Sequence, residues 1–427
     1  MSEAVAAEPH EPIRRPPKVV LGVSLFVLIL LPVFTMAGGG GIALIMTILS
    51  VLALAGLAAH KAWKTPVPAW LFFLTIFLLW AWVSQFWSNY EKVSGWSNAE
   101  KILLSGLIFP SVIWLWAQMR DHLLGGILRR GFIIACLTGI ALLFVDTFSS
   151  FAISFWVDPV AEGETYARRH ADATRNIGRG IVFYTAMVFP LAALIWPRKY
   201  GKVLTLLILA GLTASAWKLG VYVAMITPWA GLAFGLIARK KPILMVKTLV
   251  ISAAIAILAA PLFAAIVTLL DENTLGGLPD SWEHRLYMWD FVFRQISERP
   301  LNGYGFNNAR TYSELITLSG GQTVTLLSHH AHNAGLQIWL ETGLIGAGLA
   351  GLSILSCLGP AKRFVRDQPN GAFGLCGFLT AMILLSSLSF GVWQFWWWGT
   401  LFLGLAVLNL VQTLRSKSLN AAEGKTQ

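Results

Sequence analysis

The stretch VVLGVSLFVLILLPVFTM, Val19 to Met36, decides the fold. Its eighteen residues carry no charge. Wound as a helix they rise about 27 Å, close to the roughly 30 Å of a bilayer's hydrocarbon core. A membrane strand would instead alternate over about 10 residues, and no such alternation is present. Arg14, Arg15 and Lys18 precede the run, in the manner of a signal peptide. Its length and the many similar runs that follow favour a signal anchor that stays in the protein.

Working outward, apolar runs recur at about 41–59, 68–88, 102–118, 132–156, 180–196, 203–217, 219–237, 248–270, 333–358, 372–391 and 395–413, giving twelve expected spans. The chain is 56% hydrophobic and only 12% charged, against roughly 25% charged residues in a soluble domain. The expectation is an all-α, polytopic membrane protein forming one integral membrane domain over residues 1–427, with polar ends to about Lys18 and after about Arg415. A formal charge of +11 would suit nucleic acid, but the basic residues stand in small clusters between apolar runs. Alternate connections collect Arg14/Arg15/Lys18, Lys61/Lys64, Arg120/Arg129/Arg130, Arg198/Lys199/Lys202, Arg239/Lys240/Lys241/Lys247, Lys362/Arg363/Arg366 and Arg415/Lys417/Lys425, which is 21 of the 32 Lys and Arg. By the positive-inside rule that face is cytoplasmic and so are both termini. Cys136, Cys357 and Cys376 fall inside apolar runs and indicate neither a disulfide framework nor a thiolate metal site.

The opposite face holds two long polar segments, about 157–179 and 271–332, and the aromatic run WQFWWW at Trp393 to Trp398, which suits a membrane-interface belt. Chemistry is therefore expected outside the cytoplasm. Within 271–332, between spans nine and ten, SWEHRLYMWDFVFRQISERP (Ser281 to Pro300) reads as an amphipathic helix near 281–298. Trp282, Leu286, Trp289, Val292, Phe293 and Ile296 share one arc, and Glu283, Asp290, Arg294 and Glu298 the other. Arg285 lies inside the apolar arc, where a guanidinium is costly unless an anion meets it. The candidates for that anion are a carboxylate, such as Glu341, Asp172 or Glu314, and a substrate. LNGYGFNNA follows, with Gly303 and Gly305 marking a turn.

Two spans start on that face with suggestive residues. The sixth begins RNIGRGIVFY, which places Arg175 and Arg179 at its mouth, and the tenth begins HAHN, with His332 at its mouth and Asn333 as its cap. Helix N-termini attract anions and arginine forks suit phosphate oxygens, so these two mouths and Arg285 could hold a pyrophosphate. Arg179 could equally be an interfacial anchor for lipid head groups. His332 could serve as a general base, as an interfacial cap, or with His329 and His330 as a metal ligand, although no carboxylate pattern supports a metal. Gly343 and Gly346 read as helix-packing positions, and Glu341 with Gln337 as a polar contact inside the bundle.

His332, Asn333, nine further residues and then Gly343-x-x-Gly346 resemble the signature of bacterial O-antigen ligases and the related O-antigen polymerases. HRLYMWDFVFRQISERPLNGYGFNN resembles the segment that precedes it, and twelve spans with a long loop between the ninth and tenth match the topology. The resemblance implies a bacterial inner-membrane enzyme that moves a glycan from an undecaprenyl-diphosphate carrier to lipid A core, or to a growing glycan in a polymerase. It implies a periplasmic site, membrane lipids as surroundings, an inverting reaction, and neither metal nor cofactor. His332, Arg285 and Arg179 would then be catalytic, with Arg175, His330 and Asn333 binding substrate; Arg168 and Arg169 stand near enough to leave the choice between Arg175 and Arg179 open. A lipid or polysaccharide transporter is the other class, but it would place its charges near the bilayer midplane.

Overall fold

The computed structural model of the protein describes residues 18–59, 66–91, 98–120, 123–161, 163–270, 277–327 and 329–411. Both chain ends, and with them Arg14, Arg15, Arg415, Lys417 and Lys425, lie outside the described residues, as do Lys61 and Lys64. Each of the twelve expected runs is helical. Among the described residues nine helices are long and apolar enough to cross a membrane, and a tenth span results if the bent pair α11–α12 counts as one.

In chain order the helices are α1 (Lys18–Met36), α2 (Gly39–Ala59), α3 (Ala69–Ser84), α4 (Asn98–Ile108), α5 (Pro110–Met119), α6 (Leu123–Phe148), α7 (Ala152–Val157), α8 (Tyr166–Ile195), α9 (Gly201–Lys218), α10 (Tyr222–Lys240), α11 (Pro242–Leu258), α12 (Ala260–Val267), α13 (Asp280–Glu298), α14 (Ala334–Ser356), α15 (Leu358–Asp367), α16 (Pro369–Leu388) and α17 (Phe395–Asn409). A two-stranded antiparallel hairpin, β1 (Leu315–Thr317) and β2 (Thr323–Thr325), is the one departure from all-α among the described residues.

Helix α8 is the central post. Every residue from Gly180 to Ala193 is buried, as expected of a helix apolar on all sides, and α6, α9, α16 and α17 surround it. It begins at Tyr166, capped by Thr165, which accepts from the Arg168 N–H, so the polar segment expected between spans at 157–179 is mostly helix. Hydropathy does not register this start because TYARRHADATRN is charged. Pro261 bends α11 and α12 apart by 61°. Proline has no N–H to bond the carbonyl four residues back, and the Ile257 carbonyl takes the Trp339 indole N–H instead (2.9 Å).

Helix α14 is broken rather than continuous. Gly343 has φ 65° and ψ −165°, and the turn Pro300–Gly305 is spliced into the gap. The Leu340 and Glu341 carbonyls accept from Tyr304 N (2.8 Å) and Gly305 N (2.9 Å), while Leu344 N and Ile345 N donate to the Pro300 (2.8 Å) and Leu301 (3.2 Å) carbonyls. Trp80 Nε1 donates to the Thr342 carbonyl (3.0 Å). The freed backbone groups are thus satisfied in apolar surroundings, which is the condition for irregular backbone at membrane depth. This corrects the reading of Gly343 as a packing glycine, while Gly346 does pack closely, against Thr342 and Trp80. The Gly343 conformation is essentially glycine-only, and a Cβ there would strike the Leu301 carbonyl. Gly343→Ala should therefore destabilise the protein by about 3 kcal/mol or more, read as a lowered Tm in detergent.

Candidate active site

The site sits where α13, the start of α14 and the connection from α16 to α17 meet. Met288, Val292 and Ile296 of α13 pack with Ala260, Ala264, Leu336 and Leu340, which seats that helix on α12 and α14. Of the expected apolar arc Val292 and Ile296 are buried while Trp282, Leu286, Trp289 and Phe293 are half-buried, and Met288, which lay outside that arc, is buried with them. On the opposite arc the structure corrects the reading: Glu283 is buried, because the β1–β2 hairpin folds over it and Ser319 donates to it through both N–H (3.0 Å) and Oγ (2.8 Å).

His332 adopts φ 50°, a left-handed conformation for a residue with a Cβ, at a cost of about 1–2 kcal/mol. The flanking bonds hold it there. Its Nδ1 donates to the Ser389 carbonyl (2.8 Å), its own N–H meets His330 Nδ1 (3.2 Å), and the two rings lie 4.4 Å apart. A carbonyl can only accept, so the proton is on Nδ1 and Nε2 keeps its lone pair. His330 Nε2 meets the Gln394 side-chain nitrogen (3.1 Å), and Trp289 Nε1 ties the Ala331 carbonyl between them to α13 (2.9 Å). Asn333 caps α14 as expected, its side chain accepting from Leu336 N (3.0 Å). His329 is exposed. Among the described residues no three His, Cys, Asp or Glu side chains converge into a metal-binding set.

Burial above all, opposed by the Ser389 hydrogen bond and aided by the positive charges of Arg285 and His284, brings His332 down to about 4. Burial, then the charges of His332, His329, Arg310 and Arg179, brings His330 down to about 3. Both imidazoles are neutral at ordinary pH. The same interactions show that Arg179 and Arg310 reach the field of one histidine and Arg285 that of the other.

Arg285 is the outstanding group. Its Nη1 donates to the Ser281 carbonyl of its own helix (2.5 Å), its guanidinium stands 5.4 Å from the Trp282 ring, and its buried Nε has no partner. Burial draws its pKa down. No carboxylate pairs with it among the described residues. Of the three carboxylates considered, Asp172 pairs with Arg175, Glu314 is exposed, and Glu341 is occupied within the bundle. Arg175 is exposed and engaged, whereas Arg179 is half-buried and its charge acts on His330. Because α8 starts at Tyr166, Arg179 lies about 20 Å from that helix's N-terminus. The expected helix-mouth site at Arg175 and Arg179 is therefore withdrawn, and Arg179 can act only through its own charge.

An apolar cavity of about 520 Å³ begins beside the histidines at Ala334, Gly335 and Val392 and runs between α3, α11, α14, α16 and α17 towards Phe364 and Asn409. Sequence reading missed Arg310, Ser389 and Gln394. Arg310 lay in a loop with no pattern around it, and Ser389 serves through a main-chain carbonyl that no residue type announces. The WQFWWW run is also corrected. Trp393, Trp396, Trp397 and Trp398 are all buried, and their indoles donate to Glu341, Gln394, Ser386 and the Val392 carbonyl, bracing the connection that holds the histidines.

Residues 178–351, which carry Arg179, Arg285, His332 and Gly343, match the family model described as O-antigen ligase. A Rickettsia bellii protein named "Putative polysaccharide ligase" is 30% identical over 282 residues, 63% of this chain and 64% of its own length. A Rickettsia felis protein of the same name is 32% identical over 149 residues, 34% of this chain and 35% of its own. The chain thus spans less than two thirds of the curated relatives it matches. Arg175 lies before the O-antigen ligase match, and Ser389, Trp393 and Gln394 lie beyond it.

Proposed function

We propose that the protein is an O-antigen ligase that transfers a glycan from undecaprenyl diphosphate to lipid A core at the periplasmic face of the bacterial inner membrane. One observation carries this reading: a half-buried arginine whose buried Nε has no partner and which no carboxylate pairs among the described residues acts by its charge on a neutral histidine that keeps its Nε2 lone pair, where an apolar cavity begins. The cavity suits an isoprenoid tail. The diphosphate would lie at its mouth against Arg285, with Arg179 and Arg310 adding charge, and fixed guanidiniums would do without a metal what a cation does elsewhere. His284, next to Arg285, also lines a polar hollow of about 410 Å³ with Tyr222, Asp280, Ser281 and Gln322, a setting for sugar hydroxyls.

In this mechanism the acceptor hydroxyl oxygen attacks the anomeric carbon as its proton passes to His332 Nε2. The carbon–oxygen bond to the diphosphate breaks, and the leaving group departs with the electron pair, held by the arginines. A single displacement inverts the anomeric carbon. The charges gather at one end of the bundle, which favours an enzyme over a midplane-binding transporter.

The test is the polysaccharide profile of a deletion strain with complementation, alongside the purified protein given carrier-linked glycan and lipid A core. Accumulated carrier-linked polymer with bare core supports a ligase. Single repeats on the core would make it a polymerase, and an unaltered profile with no transfer in vitro would refute both.

A further inference from the structure

Glu341, the eighth residue of α14 and next to the Gly343 break, is fully buried, and its oxygens tie two other segments to its own helix. Its Oε2 accepts from Asn307 N (2.6 Å), just after the turn spliced into the helix, and from Trp393 Nε1 (2.6 Å), in the connection between α16 and α17. Its Oε1 accepts from Gln337 Nε2 (3.2 Å), whose Oε1 in turn accepts from Val392 N (2.9 Å). Three residues before Val392, the Ser389 carbonyl holds His332, and two residues after it the Gln394 side chain lies 3.1 Å from His330 Nε2. Gly391 lies against the same ring, for a Cβ there would come within 2.8 Å of His330 Cβ.

The geometry points to Glu341 as a positioning residue for the histidine pair: from within the bundle its carboxylate locks the 389–394 connection to the 300–309 turn, and that connection sets where His332 presents Nε2. This rests on the proposed transfer reaction for its kinetic consequence but not for its structural one. Contact with substrate is not involved. Such a residue acts by angle and distance, and a displacement of about 1 Å at a base costs up to about a hundredfold in rate.

The test uses full-length protein in detergent. Glu341→Gln keeps one oxygen for Asn307 and Trp393 but loses its acceptor for Gln337. Trp393→Phe deletes one donor and keeps a ring between Phe77 and Phe306, which flank Trp393 at 5.8 and 4.8 Å. Each should lower kcat about tenfold or more, with donor KM within about twofold and Tm nearly unchanged. Glu341→Ala strands three donors and should lose both kcat and stability. In ¹⁵N-histidine spectra His332 should be an Nδ1–H tautomer in the wild type and a mixture in Trp393→Phe. An unchanged kcat and tautomer in the folded single-donor variant would overturn the assignment, as would a rate loss that only tracks folded fraction. If the wild type transfers nothing from a carrier-linked donor, the proposed function fails while the tautomer still decides the role of Glu341.

Discussion

Arg285→Ala should cut glycan transfer by about a hundredfold or more while leaving the Tm of the substrate-free protein unchanged or slightly raised. The pairing of these two outcomes follows from what surrounds the guanidinium. Among the described residues its buried Nε has no partner, no carboxylate pairs with it, and its hydrogen bond runs to Ser281 of its own helix. Removing it relieves desolvation and loses a single cation–π contact with Trp282, worth about 0.5–1 kcal/mol. Had it balanced a buried carboxylate, its loss would destabilise the protein by roughly 3–5 kcal/mol. Arg285→Lys should recover only part of the rate, since an ammonium lacks the planar fork that grips two phosphate oxygens. Melting temperature and transfer rate measured on one purified sample decide the matter: a large fall in Tm with rate falling in proportion would make Arg285 structural.

His332→Asn and His332→Gly should abolish transfer with the fold intact, because both residues accept the left-handed backbone that His332 adopts. Imidazole added to His332→Gly should restore a measurable rate, and His329→Ala should be mild because His329 is exposed. The pH dependence has a defined sign. A base must be neutral, so kcat/KM should hold down to about pH 4 and fall below it as His332 takes a proton. Bound diphosphate cancels the charge of Arg285, which helps to depress His332, so the acid limb of kcat should lie at higher pH than that of kcat/KM. Stability follows the same direction. With unfolded histidines near 6.5 and folded values of about 4 and 3, stability present above pH 6.5 is lost as pH falls through 4 and on to 3. A kcat/KM profile flat to pH 3, or full activity of His332→Asn, would remove His332 from the role of base.

What the sequence made legible tracks what one-dimensional patterns encode. Charge-free runs announced the helices, and the apolar arc of α13 announced the burial of Val292 and Ile296 but not that of Met288 beside them. Arg285 stood out because it broke that arc, and the structure leaves it unpaired among the described residues. The start of α8 was hidden because charged turns extend a helix beyond its apolar run. The break in α14 was hidden because Gly343 at helical spacing reads alike whether it packs or splits a helix. The tryptophan run was misplaced since indoles suit an interface and a hydrogen-bonded core equally. The support of the histidines by Ser389 and Gln394 had no pattern at all, being made by a carbonyl and an amide fifty or more residues downstream.

The turn threaded through α14 also governs how such chains can be recombined. Pro300 to Gly305 completes the hydrogen bonding of a helix whose break is some forty residues later, and the Trp393 connection closes over both. A chimera that exchanges the loop alone would graft a turn cut for another helix's gap, leaving carbonyls and N–H groups unpaired at membrane depth. Crossovers placed before α13 and within α15 would carry the turn, the break and the histidines together but part them from Trp393 and Gln394. A block from α13 through α17 is the smallest exchange that keeps every one of these bonds within a single parent.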